Sequence, residues 1–226
     1  MKKNLINLLF VSSFLFTGCS ETKKENTLKN TDQSNISANL TEKEATSNVV
    51  KEDYAIISTS YGDMVVKFFE GAAPKHVESF KTHAKNGYYN GTIFHRVIPG
   101  FMIQGGDPNT KGENKASYGT GGYAAKYYGI GIEDDSKTWS LPAEFNNIKH
   151  TRGILSMARS NDPNSGGSQF FICAANVPHL NGKYTVFGQV VDGLEIIDQI
   201  INLPRDARDN PKRRIEMSVK IEQREK

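Results

Sequence analysis

Cysteine and tryptophan are almost missing from this chain of 226 residues, which has two cysteines, Cys19 and Cys173, and one tryptophan, Trp139. Beyond Cys19 only Cys173 remains, so the rest of the chain cannot close an internal disulfide and must be held by its core. A chain of this length can bury such a core without staples. Cys173 lies in the apolar run FFICAA and reads as a small buried hydrophobe rather than a reactive thiol. A membrane-spanning run is missing as well, because the apolar stretch at residues 5–16 falls short of the roughly twenty residues a span needs. Charge of one sign is also scarce: Lys and Arg number 28 against 25 Asp and Glu, a formal balance of +3. No Lys/Arg block is long enough for nucleic acid, and the cluster Lys212-Arg213-Arg214 sits beside Asp206, Asp209 and Glu216, as a solvated turn would.

Several chemistries are absent too. The histidines His76, His83, His95, His150 and His179 show no ligand spacing with cysteine or acidic partners, so no metal is expected. Neither Ser156 nor Ser168 has the G-x-S-x-G surroundings of an activated nucleophile. Glu133, Asp134 and Asp135 read as a solvated charge run, not as a catalytic carboxylate pair. The run Gly119 to Ala124 fits G-x-G-x-x-A on paper, but no strand leads into it and no helix follows, so no dinucleotide site is expected either.

What is present begins at the N-terminus. Lys2-Lys3, the apolar stretch and Thr17-Gly18-Cys19 have the layout of a secretory signal peptide. FTGC resembles the lipobox of bacterial lipoproteins, although Phe16 stands where an aliphatic residue is usual. The resemblance implies cleavage after residue 18 and lipidation of Cys19. Several acyl chains would anchor stably, at about 0.8 kcal/mol per buried CH₂. Residues 20–53 are Lys, Glu, Asn, Thr and Ser with single aliphatics and no aromatic, too polar to offset the entropy of ordering. The expected organisation is a signal peptide over 1–18, the lipidated cysteine and a disordered tether over 19–53, and a domain over 54–226. As a flexible coil the tether reaches roughly 30–35 Å.

The domain opens with two β-rich runs around Gly62-Asp63, which read as a hairpin. Pro74 followed by Val77, Phe80 and Ala84 at helical spacing predicts a helix that Gly87 stops. Further β-type runs fall at 92–98, 101–104, 153–158, 169–174 and 185–190. Leu194, Ile197, Ile200 and Ile201 signal a second helix before Pro204, and Ile215, Met217, Val219 and Ile221 alternate along a last strand. About eight short strands and two helices predict a mainly β domain, an antiparallel sheet closed or folded on itself with helices over its open ends. Between 105 and 145 the pattern dissolves into a long Gly- and Tyr-rich loop, a length that is usually functional.

The polar residues near apolar strands are His95, Arg96, Gln104, Arg159, Gln169, His179 and Tyr184. An arginine inside TIFHRVIPGFMIQGGDP is costly to bury unless something pairs with it or uses it. A site of one arginine, amides and large apolar side chains can bind and polarise, but holds no nucleophile.

FHRVIPGFMIQGGDP, RGILSMAR, NSGGSQFFICAA and LNGKYTVFGQVVDG, in this order, resemble the cyclophilin family of peptidyl-prolyl isomerases over residues 54–223. The resemblance implies a cyclophilin-like eight-stranded antiparallel β-barrel capped by two α-helices, working without cofactor. It implies Arg96 as the catalytic arginine. Phe101, Met102, Phe171 and Leu180 would receive the proline ring, Gln104 would bond the peptide backbone, and Ala158 and Gln169 would line the adjoining groove. His95 is expected to be a structural core histidine. His179 stands where eukaryotic cytosolic members carry Trp, which resembles bacterial-type members and implies weak cyclosporin binding. Tyr184 replaces a pocket histidine, and Arg159 replaces an asparagine that meets substrate through its backbone. Residues 119–141 exceed the family's usual loop, and Trp139 either packs this insert onto the barrel or extends the groove. The implied protein is a monomer in the bacterial envelope, lipid-anchored with a lean toward the outer membrane. Its partners would be proline-containing segments of unfolded or exported proteins. A second reading is a proline-peptide binding lipoprotein with little catalysis.

Overall fold

The computed structural model describes residues 51–225. The expected signal peptide, Cys19 and the expected tether as far as residue 50 lie outside the described residues. Strand β1 (Lys51–Thr59) turns into β2 (Gly62–Phe68), the pairing closing at Thr59 opposite Gly62. Gly62 sits at φ +124°, a conformation that L side chains rarely adopt, so the turn needs a glycine there. The first strand begins three residues before the expected boundary at 54. Lys51, Glu52 and Asp53 pair with Glu225, Arg224 and Gln223 of the last strand, so the ladder takes them in despite their polarity.

Helix α1 (Pro74–Lys85) and helix α2 (Leu194–Ile201) follow the expected apolar spacing. α1 buries Val77, Phe80 and Ala84 against β8 (Val186–Asp192) and β9 (Glu216–Glu225). α2 buries Ile196, Ile197, Ile200 and Ile201, and packs on β2, β4 (Arg96–Ile98) and β5 (Met102–Gly105).

The remaining strands are β3 (Thr92–Ile93), β6 (Ile154–Met157) and β7 (Phe170–Cys173), all joined antiparallel in the order β3-β9-β1-β2-β8-β6-β7-β5-β4. The run at 92–98 therefore makes two strands, not one. β3 pairs with β9 at one edge of the sheet and β4 pairs with β5 at the other. Between them Phe94 N–H donates to the Ile215 carbonyl (3.3 Å) and His95 N–H to the Gln104 carbonyl (3.0 Å). The expected eight-stranded barrel is thus a nine-stranded curled half-barrel, whose two edges are joined by the chain itself and not by a ladder.

The inner face carries the main core, centred on Phe80, whose ring lies 4.9 Å from Tyr89, 5.4 Å from Phe170 and 5.6 Å from Phe187. Each such ring contributes about 1.5–3 kcal/mol by leaving water. A smaller cluster of Met102, Ile154, Phe171, Cys173, Val177, Leu180 and Val186 forms separately. Cys173 is fully buried there and its thiol is pushed up to about 12 by burial, as an inert hydrophobe would be.

The long loop is ordered by three short 3₁₀ turns, each begun by an Asp or Asn side chain that accepts a backbone N–H two residues on. Its insert lies against α1: Ala125 N–H donates to Ser79 Oγ, Lys126 pairs with Glu78, and the Tyr128 hydroxyl donates to the same carboxylate. Trp139 Nε1–H donates to the Ile132 carbonyl at 3.0 Å, while its ring packs against the main core. Of the two readings of Trp139, the structure selects packing of the insert onto the body.

Candidate active site

Strand alternation builds the site. In the β4–β5 hairpin Arg96 faces Gln104, Val97 faces Ile103 and Ile98 faces Met102, and residues opposite one another share a face. Val97 and Ile103 enter the main core, which leaves Arg96, Ile98, Met102 and Gln104 on the other side. β7 continues this division, with Phe171 opposite Gln104 and Cys173 opposite Met102, while Phe170 and Ile172 join the main core. The connection 99–101 turns at Gly100 (φ +73°) and brings Phe101 beside Met102.

The result is a cleft of about 100 Å³ lined by Arg96, Phe101, Met102, Gln104, Ala158, Arg159, Phe171, Leu180 and Tyr184. Nine residues expected from the sequence are thereby brought together. Gln169 lies in an adjoining cavity of about 250 Å³ with Gln104, Ala158, Arg159 and the loop residues 119–122. His179 does not line the cleft. It is exposed at the rim, its ring 5.7 Å from that of Phe101. A larger cavity, about 420 Å³, lies elsewhere among Lys51, Glu52, Asp53, Lys67, Glu70 and Lys81. Lys67 and Lys81 there are matched by carboxylates, so size alone does not locate the chemistry.

Arg96 meets no carboxylate among the described residues. Its Nη1 donates to Gln104 Oε1 at a long 3.4 Å; Gln104 Nε2 donates to Gln169 Oε1 (3.0 Å), and Gln169 Nε2 to the Gly121 carbonyl (2.7 Å). This amide relay orients the guanidinium without neutralising it, leaving the charge for a ligand. The reading of Arg96 as a partner of some structural carboxylate fails on that geometry.

His95, next in the chain, is 3 % exposed, and neither ring nitrogen has a hydrogen-bond partner. Burial holds its imidazole down at about 4, offset in part by the Asp107 carboxylate, so it is neutral and structural, as expected. Asp107 is itself fully buried and accepts the N–H groups of Asn109 (2.8 Å) and Gly119 (2.5 Å), which fixes the loop that floors the second cavity.

Sequence reasoning missed His150. Its Nε2 meets Ser156 Oγ (3.1 Å), its Nδ1 meets Asn181 Oδ1 (3.2 Å), and its ring stacks on Phe171 with centroids 6.1 Å apart. It braces the floor of the apolar pocket against the segment that carries Leu180. Burial lowers its pKa, against a raising contribution from Asn181. Only its position just before β6 marks it in the sequence.

A small apolar pocket beside an uncompensated guanidinium and two amides, on a curled antiparallel sheet with two helices, defines a site suited to binding and polarising a ligand rather than attacking it. Comparison with known proteins gives the family. Residues 54–222 match the model of the cyclophilin type peptidyl-prolyl cis-trans isomerases, and the chain belongs to that family. It is 43 % identical over 153 residues to a probable peptidyl-prolyl cis-trans isomerase of Brucella abortus, covering 66 % of this chain and 71 % of that one. It is 43 % identical over 171 residues to peptidyl-prolyl cis-trans isomerase-like 2 of Rhizopus delemar, covering 75 % of this chain but spanning only 28 % of that longer relative. Among solved structures, a cyclophilin type peptidyl-prolyl cis-trans isomerase of Cryptosporidium parvum, crystallised in the presence of the dipeptide Ala-Pro, is 36 % identical with a TM-score of 0.64. That comparison covers 75 % of this chain and 98 % of the other. The relatives include eukaryotic proteins as well as bacterial ones.

Proposed function

We propose that this chain is a bacterial-type, monomeric prolyl isomerase that works on X-Pro bonds of exported proteins from a lipid anchor at Cys19. The observation that carries the catalytic part is Arg96, held by Gln104 at the mouth of an apolar cleft without a carboxylate partner.

The X-Pro bond rotates slowly because resonance gives its C–N bond partial double-bond character, with a barrier of about 18–20 kcal/mol. In the twisted transition state that resonance is lost and the proline nitrogen regains a lone pair. A guanidinium hydrogen bond to that lone pair favours the twisted state over both planar ones, which is catalysis by differential binding. Phe101, Met102, Phe171 and Leu180 hold the ring and exclude water, which strengthens the arginine's field. No bond forms or breaks, so neither nucleophile nor cofactor is required.

Export and anchoring rest on the N-terminal Lys2-Lys3, apolar run and FTGC. Ser20 after the cysteine lacks the aspartate of inner-membrane retention, which favours an outer membrane. The test is the cis-to-trans exchange rate of an Ala-Pro peptide, by NMR, with the wild type and with Arg96→Ala. The expected loss is about 10²–10³ in kcat/KM, the size of removing one transition-state donor. An unchanged rate from folded Arg96→Ala refutes the mechanism; peptide binding without accelerated exchange in the wild type supports a proline-peptide binding lipoprotein instead. Cys19→Ser is expected to move the protein from the membrane to the soluble fraction.

A further inference from the structure

The cleft holds a second cation that the isomerisation itself does not need. Arg159 lines both the 100 Å³ pocket and the adjoining 250 Å³ cavity. Its guanidinium lies 4.4 Å over the Tyr184 ring and 6.0 Å from that of Phe145. Nε and Nη2 donate to the Lys183 carbonyl (3.2 and 2.8 Å), and Nη1 donates to the carbonyls of Ser160 (2.8 Å) and Asn161 (3.3 Å). These acceptors are neutral: they fix the group in place and leave its charge standing. No Asp or Glu lines either cavity. Of the acids on the neighbouring loops, Asp107 is buried below the second cavity and already accepts two N–H groups, and exposed Asp162 accepts the Asn164 N–H. Against them stand Arg96, Arg159 and exposed Lys183. In the cavity beside β1, by contrast, Lys67 is matched by Glu52 and Lys81 by Asp53 and Glu70.

We propose that this cleft selects proline segments that carry an aspartate or glutamate within two residues of the proline, with Arg159 as the specificity-determining residue. The inference rests on the reading of the cleft as a prolyl-peptide site. A guanidinium held by Tyr184 and three carbonyls has lost its rotamer freedom before substrate arrives, so pairing with a carboxylate costs little further entropy. A lysine or arginine at the same place in the peptide meets two fixed like charges.

The test uses the full-length protein in mild detergent and peptides that differ only in one residue, Glu, Gln or Lys, placed before the proline in one series and after it in a second. The reading is the ratio of kcat/KM between peptides for the same enzyme, so that any overall loss in a variant cancels. The expected Glu-to-Gln ratio in one series is about three- to fivefold at low salt, the size an exposed charge pair gives, and it shrinks toward one at 0.5 M salt. Arg159→Gln brings the ratio close to one and Arg159→Glu inverts it between Glu and Lys. Equal rates for all three peptides in the wild type, or a ratio that Arg159→Gln leaves intact, overturn the proposal while leaving the isomerase reading in place. If no peptide exchanges faster, the isomerase reading falls, and NMR titration of the Glu and Lys peptides still decides selectivity: equal affinities overturn it.

Discussion

Glu144 makes a quantitative prediction about how the site's frame is held. Helix α1 starts at Ala73-Pro74 with no side chain of its own to cap it. Of the first N–H groups of the helix, Pro74 has none and Val77 donates to the Ala73 carbonyl, which leaves Lys75 and His76. Both donate to the carboxylate of Glu144, at 3.1 and 3.0 Å, from nearly seventy residues away in sequence, and His76 Nδ1 reaches the same group at 2.7 Å. The Glu144 N–H in turn donates to Thr185 Oγ1, one residue after pocket residue Tyr184. Removing a cap costs about 0.5–2 kcal/mol, and hydrogen bonds to a charged group are stronger than neutral ones. With the side chain only 14 % exposed, Glu144→Ala should cost about 2 kcal/mol, hence about 4–8 °C in Tm for a domain of this size. Glu144→Gln keeps one acceptor and should lose about half of that.

The pH dependence gives a second reading. Burial raises the pKa of Glu144, but the hydrogen bonds from His76 and the two N–H groups outweigh it and the net direction is down from 4.5. A carboxylate whose folded pKa lies below its unfolded value stabilises the fold above the unfolded value, and the gain is lost as pH falls through the folded one. The Tm difference between wild type and Glu144→Ala, followed by circular dichroism, should therefore be constant from pH 7 to about 5 and shrink below about 4.5. A loss under about 1 °C at pH 7, or a difference undiminished at pH 2, would refute the cap.

Gly193 precedes α2 at φ +80°, and a Cβ there would lie 2.1 Å from the Asp63 carbonyl oxygen, so Gly193→Ala should cost about 1–3 kcal/mol or more, read as a lower urea midpoint with unchanged slope. An unchanged midpoint would mean the backbone there relaxes freely. Burial also lowers the pKa of His83, His95 and His150, so between pH 6.5 and about 4 the unfolded chain binds more protons and stability falls with acidification. His95→Leu should flatten that slope in urea titrations, and an identical slope in the variant would show that His95 is not held neutral.

Local pattern made most elements legible before any contact was known. The turn at Gly62, the proline start of α1 and the alternation of Ile215, Met217 and Val219, all buried, follow from residue types within a few positions of one another. The site was legible in its motifs because β4, β5 and β7 are adjacent and in register, so that Arg96, Gln104 and Phe171 share a face. What stayed hidden depends on distant partners. Nothing local to LPAEF says that Glu144 caps α1, nothing local to KHT says that His150 stacks on Phe171, and Trp139 had two readings until α1 was placed beside its loop.

The split of residues 92–98 shows why the arginine stands where it does. A continuous strand would have paired along one neighbour and turned Arg96 with it. Instead Thr92 and Ile93 pair with β9, the chain crosses at Phe94 and His95, and Arg96 opens a new ladder with Gln104. The crossing is fixed from inside by two fully or nearly fully buried rings, Phe94 in the main core and neutral His95. Those rings therefore set the direction in which the guanidinium emerges: its backbone is held by the crossing between the two edges of the half-barrel, and among the described residues no carboxylate takes its charge, as the proposed role toward the substrate nitrogen requires.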